Sequence, residues 1–351
     1  MPADLRQLFD IEVPVIQAPM AGSQGSALAI AVSNAGGLGS QPCAMLAPDG
    51  IEQELRSIAA GTSRPYNVNF FVHRAPVPDA AREAAWRELL APYFAEYGIE
   101  PSAIAEGPQR LPFNHDAADV LEAFKPPVIS FHFGLPPDGL LRRVKGWGSK
   151  VLSSATTIDE ARYLEAHGVD AIIAQGVDAG GHRGMFLDTD LSAQLEMRQL
   201  VPAIVDAVSV PVIAAGGVAG AGDVALAMSM GACGVQAGTA YLFCPEAAPS
   251  VLHRAALHSD AAATTALTNL FTGRPARGIV TRLMREIGPL NAMAPDFPLA
   301  ATAIFALRSA AEKRGVGDFT SMWAGQNARA CVDMSAAALT QQLAAGAPAH
   351  A

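Results

Sequence analysis

Eight short apolar runs recur along the first two thirds of the chain, and they constrain the fold more than any other feature. Each run is followed by small or turn-forming residues and then by a stretch with helical periodicity. Strands buried on both faces read as continuous apolar runs, as parallel sheets require. The predicted strands cover residues 13–18, 37–40, 66–70, 128–133, 150–154, 171–175, 210–215 and 234–238.

The segments between these runs read as helices. Residues 158–167 are the clearest case, because they begin after Thr157, carry acidic residues in the first turn and stop before Gly168. Repeated strand–helix units imply a parallel sheet, and eight units predict an α/β fold of the TIM (β/α)8 barrel type. An open, doubly wound sheet is the alternative. The other predicted helices are 26–34, 48–60, 195–208 and 222–230.

The chain of 351 residues exceeds the roughly 250 of a typical TIM barrel, so additional segments are expected. We predict that residues 1–245 form the barrel, with an inserted excursion over 75–125 that includes a helix at 79–90. Residues 246–320 are predicted to form a helical cap on the substrate side, and 321–351 a C-terminal segment that packs back on the barrel. Helices are predicted in these two regions at 247–258, 277–286, 299–313 and 334–343.

The composition argues against several functional classes. The formal net charge is −9 without a cluster of Lys and Arg, which is unfavourable for nucleic-acid binding. We expect no membrane span and no secretory signal, and therefore a cytoplasmic protein that is a monomer or a homodimer. Four widely spaced cysteines without a C-x-x-C pair predict reduced, buried thiols and no metal site.

Glycines lie at the ends of the last two predicted strands, at the end of a barrel where catalysis takes place. Gly216 and Gly217 follow the seventh strand, while Gly238 and Thr239 follow the eighth. Glycines let backbone N–H groups approach an anion closely, and the threonine hydroxyl adds a donor. The pattern predicts a phosphate site, and the glycine pair Gly180 and Gly181 after the sixth strand supports it. Ordinary tight turns are the alternative.

Two amide side chains, Asn69 and Gln175, lie at strand ends among apolar residues. A buried amide is costly unless it is paired. A planar ligand with alternating donors and acceptors, such as an isoalloxazine ring, would pair with both amides, and Pro19 and Met20 would cover one face of that ring. The alternative is that the amides cap loop backbone.

Several segments of the sequence resemble the class I nitronate monooxygenases, formerly called 2-nitropropane dioxygenases. They extend over nearly the whole chain and in the expected order. The segment containing His-Phe-Gly is the most specific, because related FMN barrels carry similar glycine motifs. The segments are QAPM from residue 17, SFHFGLP from 130, AQGVDAGGHRG from 174, AGGV from 215, QAGT from 236, FTGRPARG from 271 and WAGQ from 323.

This resemblance implies that FMN is bound at the top of the barrel. Trp323 and Gln326 would either close over the flavin or form a structural clasp. Met20 would contact the ring. The positions that match the flavin-binding residues of the family are Asn69, Gln175, Gly180, Gly217 and the stretch Gln236, Ala237, Gly238 and Thr239.

Two histidines are candidates for catalysis. His132 lies at the end of the fourth predicted strand between two phenylalanines, and an imidazole titrates near neutrality. The resemblance implies that His132 is the catalytic base for neutral nitroalkanes; a core histidine bonded to backbone is the alternative. His182 follows the glycine pair after the sixth strand and faces the substrate or supports its loop.

The resemblance also implies a reaction. A nitronate such as propionate-3-nitronate would reduce FMN by one electron, giving a flavin semiquinone and a substrate radical. O2 would intercept the radical to yield a carbonyl compound and nitrite. An NAD(P)H-dependent FMN reductase of the quinone or enoyl reductase type is the nearest alternative, and a non-catalytic phosphate- or flavin-binding barrel is the second.

Overall fold

The computed structural model describes residues 4–104 and 110–348. Eight parallel strands form the central sheet, in the spatial order β1-β9-β8-β6-β5-β4-β3-β2. A ninth, two-residue strand, β7 (Gly181–His182), lies outside that sheet. The eight barrel strands are β1 (Val15–Gln17), β2 (Gly39–Pro42), β3 (Tyr66–Phe71), β4 (Val128–His132), β5 (Lys150–Ala155), β6 (Ala171–Gln175), β8 (Val212–Ala215) and β9 (Gly234–Ala237).

The first and last strands of this order close the sheet into a barrel. The N–H of Leu38 donates to the carbonyl of Val15 at 2.9 Å, and the N–H of Gln17 donates to the carbonyl of Leu38 at 3.0 Å. The TIM barrel prediction is therefore confirmed. Every predicted apolar run forms a strand, with ends within two residues of the expected ones.

Helices surround the barrel and continue into the second half of the chain. Their starts follow local rules; the side chain of Thr157, for example, accepts a hydrogen bond from the N–H of Glu160 at the start of α7. The helices are α1 (Leu5–Phe9), α2 (Ser26–Asn34), α3 (Pro48–Gly61), α4 (Ala80–Tyr97), α5 (His115–Phe124), α6 (Asp138–Gly146), α7 (Ile158–Ala166), α8 (Met197–Val205), α9 (Ala221–Ser229), α10 (Val251–Leu257), α11 (Arg282–Glu286), α12 (Ala301–Lys313) and α13 (Ala336–Ala344).

Helix α1 covers the end of the barrel at which the strands begin. Its Leu5 and Phe9 are buried in one cluster with Val128 and Leu152, which lie near the starts of β4 and β5. This apolar plug leaves the opposite end, where the strands finish, for a polar cavity. Within residues 4–104 and 110–348, every helix is too short or too polar to cross a bilayer.

The prediction of a helix over 277–286 is wrong in its first half. β10 (Thr265–Thr268) and β11 (Ala276–Ile279) form an antiparallel hairpin, and β11 also pairs with β7, so that these three strands make a small second sheet. Only Arg282–Glu286 is helical. Spaced apolar residues suit either structure over so short a range, and the pairing with distant strands decides between them.

The excursion after β3 and the region after residue 246 share a second hydrophobic core. Trp86 and Phe94 of α4 are buried in one cluster with Leu283, Ile304 and Phe319. Helix α5, also within the predicted excursion, instead packs in the main barrel core. The proposed domain boundaries stay a prediction, and residues 349–351 of the C-terminal segment lie outside the described residues.

Candidate active site

The predicted site residues meet in one cavity at the end of the barrel where the strands finish. These residues are far apart in the sequence, because they come from strand ends spread over more than 200 positions. The cavity is lined by Pro19, Met20, Asn69, His132, Gln175, Gly180, Gly181, His182, Gly216, Gly217, Gln236, Ala237, Gly238 and Thr239, together with residues that the sequence did not single out.

The turn after β8 has backbone geometry that favours glycine. Gly216 and Gly217 have φ angles of 129° and 67°. A Cβ on Gly216 would lie 2.6 Å from an oxygen of the Asp178 carboxylate. None of the described residues accepts a hydrogen bond from the N–H of Gly217, Val218 or Thr239. This end of the cavity therefore offers free donors to an anion.

The chain near residue 325 packs against these turns. A Cβ on Gly180 would lie 2.6 Å from the N–H nitrogen of Gly325, so close backbone approach requires glycine there. The N–H of Gly325 donates to the hydroxyl of Thr239 at 3.0 Å, which leaves the hydroxyl proton of Thr239 available. The side chain of Asn327 donates to the carbonyl of Gly217 at 2.8 Å and lines the cavity, whereas that of Gln326 is exposed.

The two predicted amides differ in their contacts. The Nδ2 group of Asn69 donates to Ser130, which leaves its carbonyl oxygen for another partner. Both ends of the Gln175 amide are used within the protein: Nε2 donates to the carbonyl of His182 at 2.9 Å, and Oε1 accepts from the N–H of Gly184 at 2.8 Å. Gln175 therefore holds the loop after β6, and its role toward a flavin stays a prediction.

Gln236 has a buried carbonyl oxygen that finds no hydrogen-bond partner among the described residues. The side chain lines the cavity at the end of β9, next to the free N–H groups of the glycine turns. Leaving a buried acceptor unpaired costs about 1–3 kcal/mol. A bound ligand that presents an N–H at this position would recover that cost.

Both ring nitrogens of His132 are hydrogen-bonded within the protein. Nε2 lies 3.0 Å from the carbonyl oxygen of His182, and Nδ1 lies 3.0 Å from the hydroxyl of Ser154. A carbonyl only accepts, so Nε2 carries the proton and Nδ1 accepts from Ser154. The neutral ring therefore has no lone pair free for a substrate.

His182 has a free ring nitrogen. Its backbone is held by strand pairing, because β7 places His182 opposite Ala276 of β11. Its Nε2 lies 2.9 Å from the hydroxyl of Thr272, and that hydroxyl donates to the carbonyl of Arg274. With the Thr272 hydroxyl proton directed to that carbonyl, 3.4 Å away, Nε2 is the donor and Nδ1 keeps a lone pair that no described residue uses.

Burial keeps both histidines neutral. It lowers the pKa of His132 from 6.5 to about 4, although the hydrogen bond to the His182 carbonyl acts in the opposite direction. Burial also lowers the pKa of His182 well below 6.5, and the positive charge of Arg110 adds to the effect. Neither imidazole carries a charge at neutral pH.

Four arginines surround the mouth of the barrel without forming an ion pair to a carboxylate of the described residues. Arg183 and Arg277 donate to loop carbonyls, including those of Gly176 and Val177. Burial lowers the pKa of Arg110, Arg183 and Arg274 to about 10, which still leaves them charged at neutral pH. Of these four, Arg110 lines the cavity itself, whereas the carboxylates of Asp178 and Glu160 act on the others.

Sequence reasoning missed several residues that line the cavity. Ser154 is the last residue of the predicted strand 150–154, and this position at a strand end was a usable signal. His253 is buried in the cavity wall and donates to the carbonyl of Trp323 at 3.1 Å. Arg110 gave no signal, because its position depends on the course of the excursion. Within the predicted cap, Phe305 is 51% exposed, while Phe297 is buried against the ring of His182.

Comparison with known proteins agrees with the fold and identifies the family. A family model described as nitronate monooxygenase matches residues 3–346. The nitronate monooxygenase of Pseudomonas aeruginosa is 41% identical over 346 residues, which cover 96% of this chain and 97% of that protein. The nitroalkane oxidase structure from Streptomyces ansochromogenes superposes with a TM-score of 0.89 and 37% identity, covering 98% of this chain and 97% of that one.

A more distant likeness is to the structure of FabK from Thermotoga maritima. Its TM-score is 0.72 and its identity 25%, with 98% of this chain and 95% of that chain covered. The family model and the Pseudomonas relative extend over nearly the whole chain at higher similarity. This protein therefore belongs to the nitronate monooxygenase family.

Proposed function

We propose that this protein oxidises alkyl nitronates with O2 to carbonyl compounds and nitrite, using FMN held in the cavity described above. The observation that carries the proposal is the placement of His182, with its free Nδ1, in the same cavity as the glycine turns after β8 and β9. A phosphate-binding end and a proton-accepting group then meet around one substrate space.

The residues of the cavity fit FMN. The free N–H groups of Gly217, Val218 and Thr239 would hold the phosphate, and the unpaired oxygen of Gln236 would accept from the flavin ring. Met20 would lie against one face of the ring. Bound FMN supplies the electron-transfer chemistry, while the chain supplies orientation, charge and exclusion of water.

His182 is the better placed base for neutral nitroalkanes. A general base needs a free lone pair within reach of the acidic carbon, and His182 Nδ1 has one whereas His132 Nδ1 is occupied by Ser154. The lowered pKa of His182 makes it a weak base at neutral pH. A substrate that arrives already deprotonated avoids this weakness, which favours nitronates over nitroalkanes.

His132 acts in this proposal as a positioning residue. Its Nε2–H and the amide of Gln175 both donate to the carbonyl oxygen of His182, so two side chains fix the peptide that carries the base. Ser154 sets the tautomer of His132 by donating to Nδ1. The base role that the family resemblance implies for His132 remains to be tested against this arrangement.

Anionic substrates also suit the charge of the cavity. Arg110 and Arg274 lie near the histidines, and each disfavours the protonated form of His182. The same two positive charges attract a nitronate anion into the cavity, while the imidazole of His182 stays neutral.

Reduction by NAD(P)H is the second candidate, because the likeness to FabK shows that the same fold occurs outside the nitronate oxidases. A reductase would need room for a nicotinamide beside the flavin. It would not need a base such as His182.

The decisive experiment measures O2 uptake and nitrite release by the purified, FMN-loaded protein with ethylnitronate and with propionate-3-nitronate. We expect O2 uptake and nitrite release to rise together, both in proportion to the nitronate consumed. Steady NADH oxidation without nitrite from either nitronate would instead support the reductase. A preparation that gains no flavin spectrum when FMN is added would exclude both.

A further inference from the structure

Arg110 is a charged side chain on the cavity wall for which residues 4–104 and 110–348 provide no counterion. It lines the cavity, and its guanidinium lies 5.7 Å from the ring centre of Phe297. Its buried Nε finds no acceptor, and no carboxylate of the described residues pairs with it. Among the described residues, the charged side chain that shifts its pKa is Arg308, a like charge that lowers it further after burial.

An arginine in this state is costly. Removing a charge from water without a partner costs several kcal/mol, and a buried polar atom without a hydrogen bond adds to that cost. Arg308 shows the usual solution, since its Nε donates to Glu312 at 2.8 Å. For Arg110, an anion brought by a ligand would be the missing partner. Its guanidinium, with a pKa of about 10, remains charged at neutral pH.

The position of Arg110 separates it from the flavin phosphate. Phe113 donates its N–H to the carbonyl of Phe71, which fixes the segment carrying Arg110 at the end of β3. In the strand order of the closed barrel, β3 lies opposite β8, whose end carries the glycine turn. Phe297, beneath the guanidinium, is 5.5 Å from the ring centre of His182. Arg110 therefore lies on the substrate side.

We propose that Arg110 determines substrate specificity by binding a second anionic group, a carboxylate, carried by the nitronate at a distance from its reacting carbon. This inference rests on the proposed nitronate oxidation. The fork of the guanidinium accommodates both oxygens of a carboxylate in parallel N–H···O bonds. The face of Phe297 holds the guanidinium in place before the substrate arrives.

The test compares two nitronates in the FMN-loaded wild type and in Arg110→Met. Propionate-3-nitronate carries the distal carboxylate, and butyl-1-nitronate replaces it with an ethyl group. We expect Arg110→Met to lower kcat/KM for propionate-3-nitronate about 10- to 100-fold, mainly through KM, and to change the value for butyl-1-nitronate less than about 3-fold. Arg110→Lys keeps the charge without the fork and should give an intermediate loss.

Arg308→Met is the matched control, because it removes a neighbouring guanidinium that already has a carboxylate partner. It should change both substrates less than about 3-fold. A binding measurement without turnover completes the test: succinate, a stable dianion, should bind the wild type more tightly than Arg110→Met by at least 10-fold in calorimetry.

The outcomes separate this inference from the proposed function. Equal losses on both nitronates would mean that Arg110 binds the reacting nitro group, and no loss on either would mean that it binds nothing; both overturn the inference. If Arg308→Met lowered kcat/KM by the same factor as Arg110→Met, the effect would come from the overall positive charge near the cavity. That outcome would also overturn the inference. A wild type that releases no nitrite from either nitronate overturns the proposed function instead.

Discussion

The imidazole Nε2 of His132 lies 3.0 Å from the backbone carbonyl oxygen of His182. One histidine thus holds the main chain of the other, and the second imidazole, which lines the cavity, is left with a free Nδ1. The sequence motifs favour His132 as the base and make His182 the second candidate. The hydrogen bonds assign them different work, since a ring whose two nitrogens are both occupied cannot readily accept a proton from carbon.

The first prediction concerns the two histidines. His182→Asn should lower kcat/KM for neutral nitroethane by about 10²- to 10⁴-fold, the usual contribution of a general base, while ethylnitronate should lose less than about tenfold. His132→Asn should lower kcat/KM for both substrates by a similar factor, because it loosens the peptide of His182 rather than removing the base. Steady-state nitrite release with both substrates measures the split.

The reverse pattern would contradict this assignment. If His132→Asn selectively abolished nitroethane turnover and His182→Asn did not, His132 would be the base, and the Ser154 hydrogen bond would have to break during the reaction. Flavin content of both variants should equal that of the wild type, which controls for damage to the cavity.

The second prediction concerns pH. Burial, Arg110 and Arg274 lower the pKa of His182, so the free base persists below the range in which an ordinary histidine becomes protonated. As pH falls, kcat/KM for nitroethane should decline only at a pH well below 6.5. A pH profile of the wild type measures this, with ethylnitronate as the substrate that needs no base. If kcat/KM for nitroethane already declined at pH 6.5 or above, the imidazole of His182 would be exposed to water rather than buried.

The third prediction concerns the phosphate end. Gly217→Val places a branched side chain at a φ of 67° and a Cβ 3.0 Å from the Asp178 carboxylate, so the turn must shift and its free N–H groups lose their direction. FMN affinity should fall at least tenfold in equilibrium titration. Gly222→Ala, within α9 and with open space around it, is the control and should bind FMN normally. Normal affinity of the valine variant would exclude this phosphate site.

The fourth prediction concerns stability in acid. Burial lowers the pKa of His73 and His253 to about 4, so the unfolded chain binds protons between pH 6.5 and 4 that the folded chain does not. Stability is therefore present above pH 6.5 and is lost as pH falls, by at most about 1.4 kcal/mol per pH unit for each histidine. Urea unfolding at several pH values between 7 and 5 measures the slope.

His253→Gln provides the comparison for this slope. The glutamine amide can still donate to the carbonyl of Trp323 but does not titrate, so the free energy of unfolding should depend less steeply on pH than in the wild type. Identical slopes would show that His253 does not contribute to acid unfolding.

The sequence by itself determined the order of the buried strands and the end of the sheet at which the site lies, whereas closure into a barrel rather than an open sheet was decided by the pairing of the first and last strands. Continuous apolar runs between turn residues suit strands buried on both faces, and chain geometry brings the ends of parallel strands together. For this reason Gly217, Gln236 and His132 could be placed around one cavity without coordinates. The glycines were also predictable, because a positive φ or a close backbone approach excludes larger residues.

Only the tertiary structure decided which histidine is free and which arginine lacks a partner. Hydrogen bonds such as His132 to His182 and ion pairs such as Arg308 to Glu312 depend on side-chain directions that residue order does not encode locally. The β10–β11 hairpin was missed for the same reason, since strand pairing is a contact between segments distant in sequence. Local periodicity determines which segments form helices and strands. Contacts between segments distant in sequence determine which hydrogen bonds and ion pairs their side chains make.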